Sequence, residues 1–148
     1  MAPRTRTQRR ADTLATLQRG GDVWVASANP NGTAHLVALT YFWDGERLTV
    51  ATPQRNKTAR NLTRSRWARV ALNLTDDVVI LEGPLEVIPV HANEALAADY
   101  VTATGYDIRR EPEPWMFFRM TPTRIQAMRS PEEEPDRTIM RDGRWLGD

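Results

Sequence analysis

Apolar and polar residues alternate with a period of two along much of the chain, and this pattern predicts β-strands. Seven segments fit such a strand, at residues 23–28, 34–43, 47–52, 67–74, 78–88, 115–120 and 124–128. Three other segments favour helices, at residues 12–19, 56–64 and 93–104. Gly20 and Gly105 directly follow two of these helices, as expected of glycine at a helix end. The chain is therefore predicted to be mainly β, with a few α-helices.

The order of these segments favours one class of fold. Seven short strands with closely spaced turns, interrupted by two or three helices, are typical of an antiparallel barrel rather than a doubly wound sheet. Gly83-Pro84 lies inside the long strand 78–88 and predicts a bulge or strand edge there, a bend that lets a sheet curl. The acidic run 132–134 predicts a break in regular structure. Residues 138–146 then form a tail with two apolar anchors, Met140 and Trp145.

Composition limits the chemistry that the chain can perform. The chain has 148 residues, no cysteine and two histidines, His35 and His91. It therefore has no disulfide framework, thiol nucleophile or thiolate metal site, and we expect no histidine-rich metal site. No nucleophile–base triad or pair of carboxylates stands out as a catalytic site. The length suits one core, and we predict a single domain over residues 12–148.

The charge distribution suggests where the chain acts. The net charge of +1 argues against a nucleic-acid partner. Arg4, Arg6, Arg9 and Arg10 form a basic arm over residues 1–11, which we predict to be disordered, with contact to nucleic acid as the alternative. The first residues lack the apolar run of a secretory signal, and no apolar stretch is long enough to span a bilayer. We therefore expect a cytoplasmic protein without a membrane partner.

The segment 51–62 joins a predicted strand to a predicted helix through a turn rich in cations. Pro53 stops the strand and Asn56 is a favourable helix N-cap. The free N–H groups of the first helical turn, together with Arg55, Lys57 and Thr58, can hold a phosphate. The alternative is an ordinary surface helix with solvated basic side chains.

Both faces of the predicted strand 34–43 are mostly apolar, so both should be covered. One face carries His35, Val37, Leu39 and Tyr41, and the other carries Leu36, Ala38, Thr40 and Phe42. We expect the core to cover one face, and a ligand or a partner subunit to cover the other. Trp24, Trp67 and Trp115 lie in strand patterns and are predicted to be core residues.

Three motifs carry a resemblance to a known family: Asn31-Gly-Thr-Ala-His-Leu-Val, Asn56-Lys-Thr-Ala-Arg-Asn-Leu and Ala68-Arg-Val-Ala-Leu with the acidic turn that follows. Over residues 13–129 the chain resembles the split β-barrel family of pyridoxamine 5′-phosphate oxidase and its flavin and deazaflavin relatives. The resemblance implies an FMN-binding type of split barrel. It also implies a homodimer with two cofactor sites at the interface, where the partner contributes its region 80–82 or its C-terminal segment.

The resemblance also implies a set of cofactor-binding residues. The strand-to-helix turn would bind the cofactor phosphate, the strand before it would lie along the ring, and the next strand would approach the ribityl chain. The matching positions are Arg55, Lys57 and Thr58 for the phosphate, Val37, Ala38, Leu39 and Thr40 for the ring, and Thr52 for the ribityl chain.

The chain departs from pyridoxamine 5′-phosphate oxidases proper in two places. Those enzymes carry Ser-Arg-Lys at the phosphate turn, where this chain has Asn56-Lys57-Thr58. The aromatic and arginine substrate motif near their C-terminus has no clear equivalent, and Met128 stands where related chains often have tryptophan. Vitamin B6 oxidation is therefore not expected. The turn is closer to the branch that uses coenzyme F420, so the resemblance favours F420, with FMN as the alternative.

The function implied is hydride transfer from reduced F420 to a small organic acceptor. In such enzymes the cofactor carries the chemistry, so no catalytic residue is assigned to the chain. His35 begins the ring-side strand and is a candidate for a catalytic role, but a histidine in such a position more often packs and forms hydrogen bonds. The competing class is a non-catalytic split barrel that binds a cofactor or haem.

Overall fold

The computed structural model describes residues 2–72 and 75–148. Within these residues the chain forms three α-helices and nine β-strands. The helices are α1 (Arg6–Arg19), α2 (Lys57–Ser65) and α3 (Glu94–Thr104). The strands are β1 (Gly21–Ala28), β2 (Ala34–Trp43), β3 (Leu48–Pro53), β4 (Trp67–Leu72), β5 (Val78–Pro89), β6 (Trp115–Met120), β7 (Arg124–Met128), β8 (Thr138–Arg141) and β9 (Arg144–Trp145).

Six of the strands close into an antiparallel barrel. They follow one another in the order β4, β1, β2, β3, β6 and β5, and β5 pairs with β4 to complete the ring. β7, β8 and β9 extend the sheet from β5, outside that ring. Closure leaves few free strand edges, which is how small all-β domains avoid edge-to-edge association. The mainly β, antiparallel split barrel predicted from the sequence is confirmed.

β5 connects the barrel to its extension. Its first half pairs with β7 and its second half pairs with β6. The change of partner falls at Gly83-Pro84, where Thr121 donates its N–H to the Pro84 carbonyl at 3.2 Å. A Cβ atom on Gly83 would overlap the carbonyl oxygen of Thr121, so the close approach requires glycine. The sequence predicted a bulge or strand edge here, but the strand continues and changes its partner instead.

The barrel interior holds the main hydrophobic core. Its fully buried side chains include Val25, Leu62, Leu81, Phe118 and Ile125. Leu62 belongs to α2, so the helix that follows the basic turn is fixed to the core by its apolar face. Burying one such side chain stabilises a fold by about 1.5–3 kcal/mol. The position of the basic turn is therefore set by the packing of α2.

A second, smaller core lies between α3 and the sheet. Leu96 and Tyr100 of α3 pack with Phe117 of β6, and the Tyr100 and Phe117 ring centroids are 5.4 Å apart. Asn93 caps the helix by accepting a hydrogen bond from the Leu96 N–H at 3.0 Å. The helix predicted at 93–104 is confirmed, together with its end at Gly105.

Most of the remaining predicted elements also match the structure. The predicted strands 34–43, 115–120 and 124–128 coincide with β2, β6 and β7. The fourth strand was predicted over 67–74. β4 covers residues 67–72, and residues 73 and 74 lie outside the described residues. The predicted tail is a hairpin of β8 and β9, and the acidic run lies in a short 3₁₀ helix, Pro131–Asp136.

The N-terminal segment is helical, although the sequence analysis predicted a disordered arm over residues 1–11. The Thr5 hydroxyl accepts from the Gln8 N–H at 3.1 Å, and the Gln8 side chain accepts from the Thr5 N–H at 2.8 Å. This reciprocal pair is a capping box, which satisfies two N–H groups at the start of a helix. The prediction of disorder is therefore wrong for residues 6–11.

Two arginines that were assigned to this arm are buried. Arg9 donates to the backbone carbonyls of Ala127 at 3.0 Å and Asp136 at 2.9 Å. The backbone N–H and the guanidinium of Arg4 both donate to the Glu133 carboxylate. The hydrogen bond from the Arg4 side chain is the main reason why the pKa of Glu133 is lowered to about 2. The basic segment is thus held to the extension of the sheet by charge-assisted hydrogen bonds.

No helix within residues 2–72 and 75–148 is long and apolar enough to cross a membrane.

Candidate functional site

The basic turn places the start of α2 directly after β3. Asn56 stands at the N-cap position with an extended backbone, but its side chain does not cap the helix. Instead, its amide donates to the Thr52 hydroxyl of β3 at 3.1 Å. The first turn of α2 therefore keeps its backbone N–H groups free of a side-chain cap. Such a helix start is suited to an anion.

A cavity of about 490 Å³ opens beside this first turn, between α2 and the loop that joins β1 to β2. Its lining residues are Asn29, Pro30, Asn31, Lys57, Arg60, Asn61 and Arg64. Three of them are cations and three are amides, and none is a carboxylate. The donor set therefore fits a phosphate, which prefers ammonium, guanidinium and amide donors.

Hydrogen bonds fix the walls of this cationic cavity. Arg64 donates to the Ala28 carbonyl at 2.7 Å and to the Asn61 side-chain oxygen at 2.9 Å. The Asn61 amide in turn donates to Ser27 at 3.1 Å and to Asn29 at 3.0 Å. α2 is thereby tied to the end of β1, so the cavity is held open by its own side chains.

Lys57 is the cation of the cavity that is most available to a ligand. It is the single lysine of the chain. It makes no hydrogen bond or ion pair with any residue in the described ranges 2–72 and 75–148, whereas Arg60 donates to the Arg55 carbonyl at 3.1 Å. An ammonium group beside a helix N-terminus is a common way to hold a phosphate.

Arg55 does not line the cavity beside Lys57, although both residues were predicted from the sequence to bind the same phosphate. Its guanidinium forms an ion pair with Glu113 at 2.7 Å, and its side chain is 72% exposed. It lines a different cavity of about 350 Å³ with Gln54, Glu113 and Pro114. Of the three residues predicted to hold the phosphate, Lys57 lines the cationic cavity. Thr58 is buried and does not line it, and Arg55 is directed towards a carboxylate.

Thr58 connects α2 to β2. Its side chain is almost fully buried, and its Oγ1 lies 3.1 Å from Nε2 of His35. His35 therefore forms a hydrogen bond, as the ordinary explanation expects, and its partner is the hydroxyl that was assigned to the phosphate from the sequence. The contact also brings the start of β2 against the first turn of α2.

β2 has an unpaired edge on the side that faces β3. β1 pairs with β2 from Ala34 to Tyr41, but β3 pairs with β2 only from Tyr41 to Trp43. Along residues 34–40, the peptide groups on this edge have no neighbouring strand within the described part of the sheet. A planar ring can lie along this edge and use the peptide groups as hydrogen-bond partners.

The four predicted ring residues lie on this stretch but point to opposite faces. Val37 and Leu39 are partly buried against the main core, whereas Ala38 and Thr40 are exposed on the outer face. The four residues therefore share a backbone edge and not a side-chain surface. The Thr40 carbonyl accepts from the Tyr100 hydroxyl at 3.0 Å, and burial raises the pKa of Tyr100.

The outer face of the barrel carries large apolar side chains that are open to solvent. Trp24 is 52% exposed, Leu36 is 60% exposed and Trp67 is 46% exposed. Trp24 lies opposite Ala38 on β2 and Ala71 on β4, so these residues share one face of the sheet. The prediction that Trp24 and Trp67 are core residues is wrong. They follow the strand period correctly, but they lie on its outer side.

Three members of the cationic cavity that lie on α2 were not predicted from the sequence. Lys57, Arg60, Asn61 and Arg64 are spaced by three and four residues, so they occupy one face of the helix. This spacing was visible in the sequence and could have identified Arg60, Asn61 and Arg64. The contribution of the β1–β2 loop could not be found in this way, because it depends on the tertiary contact with α2.

The chain is similar to known proteins in sequence and in fold. A family model described as pyridoxamine 5′-phosphate oxidase matches residues 10–129. No curated protein gives a match.

The solved structures that are similar to the chain share its fold at low sequence identity. One is described as an F420 reductase, with 17% identity, a TM-score of 0.63 and coverage of 75% of this chain and 93% of that one. An FMN-binding, pyridoxamine 5′-phosphate oxidase-related protein from Nostoc punctiforme has 14% identity and a TM-score of 0.56, over 90% and 83% of the two chains. A conserved hypothetical protein from Mycobacterium tuberculosis has 23% identity and a TM-score of 0.62, over 79% and 82%.

Proposed function

Because the chain belongs to the pyridoxamine 5′-phosphate oxidase family, we propose that it is an oxidoreductase that binds F420. It transfers a hydride from the reduced cofactor to a small organic acceptor. The observation that supports this best is the cationic cavity at the start of α2, next to the unpaired edge of β2. The first feature suits a phosphate and the second suits a flat ring.

In this proposal the chain binds and orients the cofactor. Lys57, Thr58 and the N–H groups of the first turn of α2 hold the phosphate. The edge of β2 over residues 34–40 holds the ring, and Thr52 lies beside the chain that joins ring and phosphate. The bound cofactor supplies the hydride chemistry, so the protein contributes position and charge.

FMN is the alternative cofactor. One structural neighbour is described as an F420 reductase and another as FMN-binding, so both cofactors occur on this fold. The sequence Asn56-Lys57-Thr58 at the turn favours F420 over FMN, by its likeness to the F420 branch. A third outcome is a barrel that binds a cofactor or haem without turnover.

Titration of the purified chain with F420 and with FMN separates these outcomes. We expect saturable F420 binding, followed by return of oxidised-F420 absorbance when an acceptor is added anaerobically to the reduced complex. Tight FMN binding without detectable F420 binding would contradict the choice of cofactor. A strong haem band in the purified protein, or F420 binding without turnover over a panel of quinone-like and unsaturated acceptors, would favour the non-catalytic alternative.

The single lysine allows a direct test of where the cofactor binds. An amine-acylating reagent can modify the side chain of Lys57 and the N-terminal amine, and mass spectrometry distinguishes the two products. We expect bound F420 to protect Lys57 from acylation and to leave the N-terminal amine reactive. Equal reactivity of Lys57 with and without saturating F420 would place the phosphate elsewhere.

We further propose that the chain forms a homodimer through its outer face, with the cofactor sites at the interface. Trp24, Leu36 and Trp67 together expose more apolar surface than scattered single residues would. Ile80 lies opposite Ala71 on the same face, and is therefore placed to reach a second copy. A stable monomer at micromolar concentration in sedimentation experiments would refute this part. A cytoplasmic location also remains a prediction.

A further inference from the structure

We propose that the chain binds a small aromatic zwitterion in the tryptophan cavity, so named because Trp43 and Trp145 line it. This cavity has a volume of about 320 Å³, which is at the lower end of the range for small-molecule sites. Four segments enclose it: α1, the β2–β3 turn, the β6–β7 connection and the β8–β9 hairpin. Among the described residues, none lines both this cavity and the cationic cavity. The inference therefore goes beyond the proposed function and does not depend on it.

The two cavities lie at opposite ends of β2. Asn31 lines the cationic cavity and precedes β2, whereas Trp43 lines the tryptophan cavity and is the last residue of the strand. β2 has 10 residues, and at about 3.3 Å per residue its ends are about 30 Å apart. The tryptophan cavity is therefore a separate site from the one proposed for the cofactor phosphate.

Most of the side chains that line the tryptophan cavity are apolar. They are Leu14, Trp43, Pro122, Met140 and Trp145. Trp43 and Met140 belong to the main core and are only 9% and 8% exposed, so the cavity reaches down to the core. Two indole rings and a thioether favour an aromatic ligand over an aliphatic one, because aromatic rings stack on one another and make favourable contacts with sulfur.

Two side chains of opposite charge, Arg10 and Glu46, also line the cavity. The Arg10 guanidinium lies over the Trp145 ring, 4.6 Å from its centroid, and its side chain makes no hydrogen bond or ion pair with any described residue. The contact with the indole face restrains the guanidinium and leaves its N–H groups available to a carboxylate. The backbone N–H of Glu46 donates to Asp44 at 2.8 Å, but the Glu46 carboxylate has no partner within residues 2–72 and 75–148. Arg10 and Glu46 are therefore both available to a ligand.

Charge complementarity favours a ligand that carries both signs. A carboxylate can accept two parallel hydrogen bonds from the Arg10 guanidinium, and an ammonium group can donate to the Glu46 carboxylate. A ligand with a single charge could form one of these pairs but not the other. Both side chains are exposed, so each pair should strengthen binding by about twofold to fivefold. The apolar side chains select the aromatic ring, and the two charges select the zwitterion.

The tryptophans provide the readout, because two of the five line this cavity. The indole N–H signals of the full chain are followed by NMR during titration with L-phenylalanine and with 4-(aminomethyl)benzoate. The two charges are adjacent in the first probe and at opposite ends of the ring in the second. Trp43→Phe and Trp145→Phe assign the relevant signals. We expect at least one probe to cause saturable shifts of these two signals and to leave the other three unchanged.

Two results of this titration would refute the site. One is that neither probe shifts the signals of Trp43 and Trp145. The other is that the shifts are confined to Trp24 and Trp67, which would place the ligand on the outer face of the barrel.

Analogues with one charge test the selection of a zwitterion. 3-Phenylpropionate and 2-phenylethylamine are the controls for L-phenylalanine, and 4-methylbenzoate and 4-methylbenzylamine are the controls for 4-(aminomethyl)benzoate. Each control should bind at least about twofold more weakly than the zwitterion that it matches. If the controls bind as tightly as the zwitterions, the selection by charge is refuted.

Variants assign each charge of the ligand to a side chain. Arg10→Gln should weaken binding of the zwitterion and of the carboxylate control, and should leave that of the amine control unchanged. Glu46→Gln should weaken binding of the zwitterion and of the amine control only. Arg19→Gln and Glu132→Gln change exposed residues that do not line the cavity, so they should bind the zwitterion as the unaltered chain does. If Arg10→Gln and Glu46→Gln bind it as tightly as these two variants, the assigned roles are refuted.

The same titration on the chain saturated with F420 separates this inference from the proposed function. We expect the zwitterion to bind with unchanged affinity. If F420 displaced it, the tryptophan cavity would be part of the cofactor site and the inference would fail. If F420 does not bind at all, the proposed function fails, whereas saturable shifts of Trp43 and Trp145 still support the second site.

Discussion

Replacing Glu133 by alanine tests the attachment of α1 to the rest of the fold. The Glu133 side chain is fully buried and accepts four hydrogen bonds, three from Arg4 and one from the Arg129 N–H, at 2.7–3.0 Å. The variant leaves the buried Arg4 guanidinium with Asp12 at 2.9 Å as its best remaining partner. Removing one member of a buried ion pair costs about 3–5 kcal/mol. Since Asp12 compensates in part, we expect a loss of about 3 kcal/mol at pH 7.

The pH dependence gives an independent measure of the same interaction. The pKa of Glu133 is lowered from 4.5 to about 2, chiefly by its hydrogen bond from Arg4. The stabilisation is therefore complete above pH 4.5 and is lost as the pH falls towards 2. A shift of this size corresponds to about 3 kcal/mol in the wild-type chain over that interval. Glu133→Ala should lack this component of the pH dependence.

Urea denaturation followed by circular dichroism at pH 7, 4.5 and 3 measures both effects. Glu134→Ala is a matched control, because Glu134 is in the same 3₁₀ helix but is 61% exposed, in a surface pair with Arg137. A surface pair contributes at most about 1 kcal/mol. If Glu133→Ala and Glu134→Ala had equal free energies of unfolding at pH 7, or equal losses on acidification, the buried pair would not hold the helix.

Three further substitutions test the fold, the site and the interface. Gly83→Ala should destabilise the chain by at least about 2 kcal/mol in the same denaturation assay, because the added Cβ meets a backbone carbonyl. Gly147→Ala is the control and should be neutral, because a Cβ there has no atom within 4 Å. Lys57→Ala should weaken F420 binding about ten- to hundredfold. Arg55→Ala should weaken it less than about threefold, because the Arg55 side chain is paired with Glu113. Equal losses of affinity in titrations of the two variants would contradict the separation of the two cations. Leu36→Lys should turn the proposed dimer into a monomer in sedimentation experiments, and an unchanged dimer would show that the outer face is not the interface.

The fold could be predicted from the sequence because its main signals are local. Strand period, helical period over residues 93–104 and glycine at helix ends all act over a few residues, and each predicted its element correctly. The sequence did not predict that β5 changes its pairing partner from β7 to β6 at Gly83. A glycine in a strand indicates a close approach, but only the three-dimensional structure identifies the connection at Thr121 as the neighbour.

The N-terminal segment was mispredicted because its stabilising partners are distant in sequence. Four arginines in ten residues favour disorder when they are considered alone. The carboxylate that pairs with Arg4 belongs to Glu133, in the acidic run that was itself predicted to interrupt structure. One local signal was present, however, since Thr5 and Gln8 have the spacing of a capping box.

The sequence predicted the backbone elements of the candidate site. The turn before α2 and the strand β2 were located correctly, and Lys57 lines the cavity beside that turn. The direction of each side chain was not predictable, because Arg55 is drawn away by Glu113, a residue 58 positions later. The contact of His35 with Thr58 of α2 was also not predictable, because no sequence spacing reveals it.

The pairing of Arg4 with Glu133 also has a consequence for biosynthesis. The two residues are 129 positions apart, so the ribosome synthesises Arg4 long before Glu133, its partner in the ion pair. During that interval α1 has its capping box and the Asp12 carboxylate, but it lacks Glu133, the buried acceptor of Arg4. Contacts of such high sequence separation form late and slow the search for the native state. In the emerging chain, α1 is therefore expected to remain undocked until the segment that contains Glu133 has been translated.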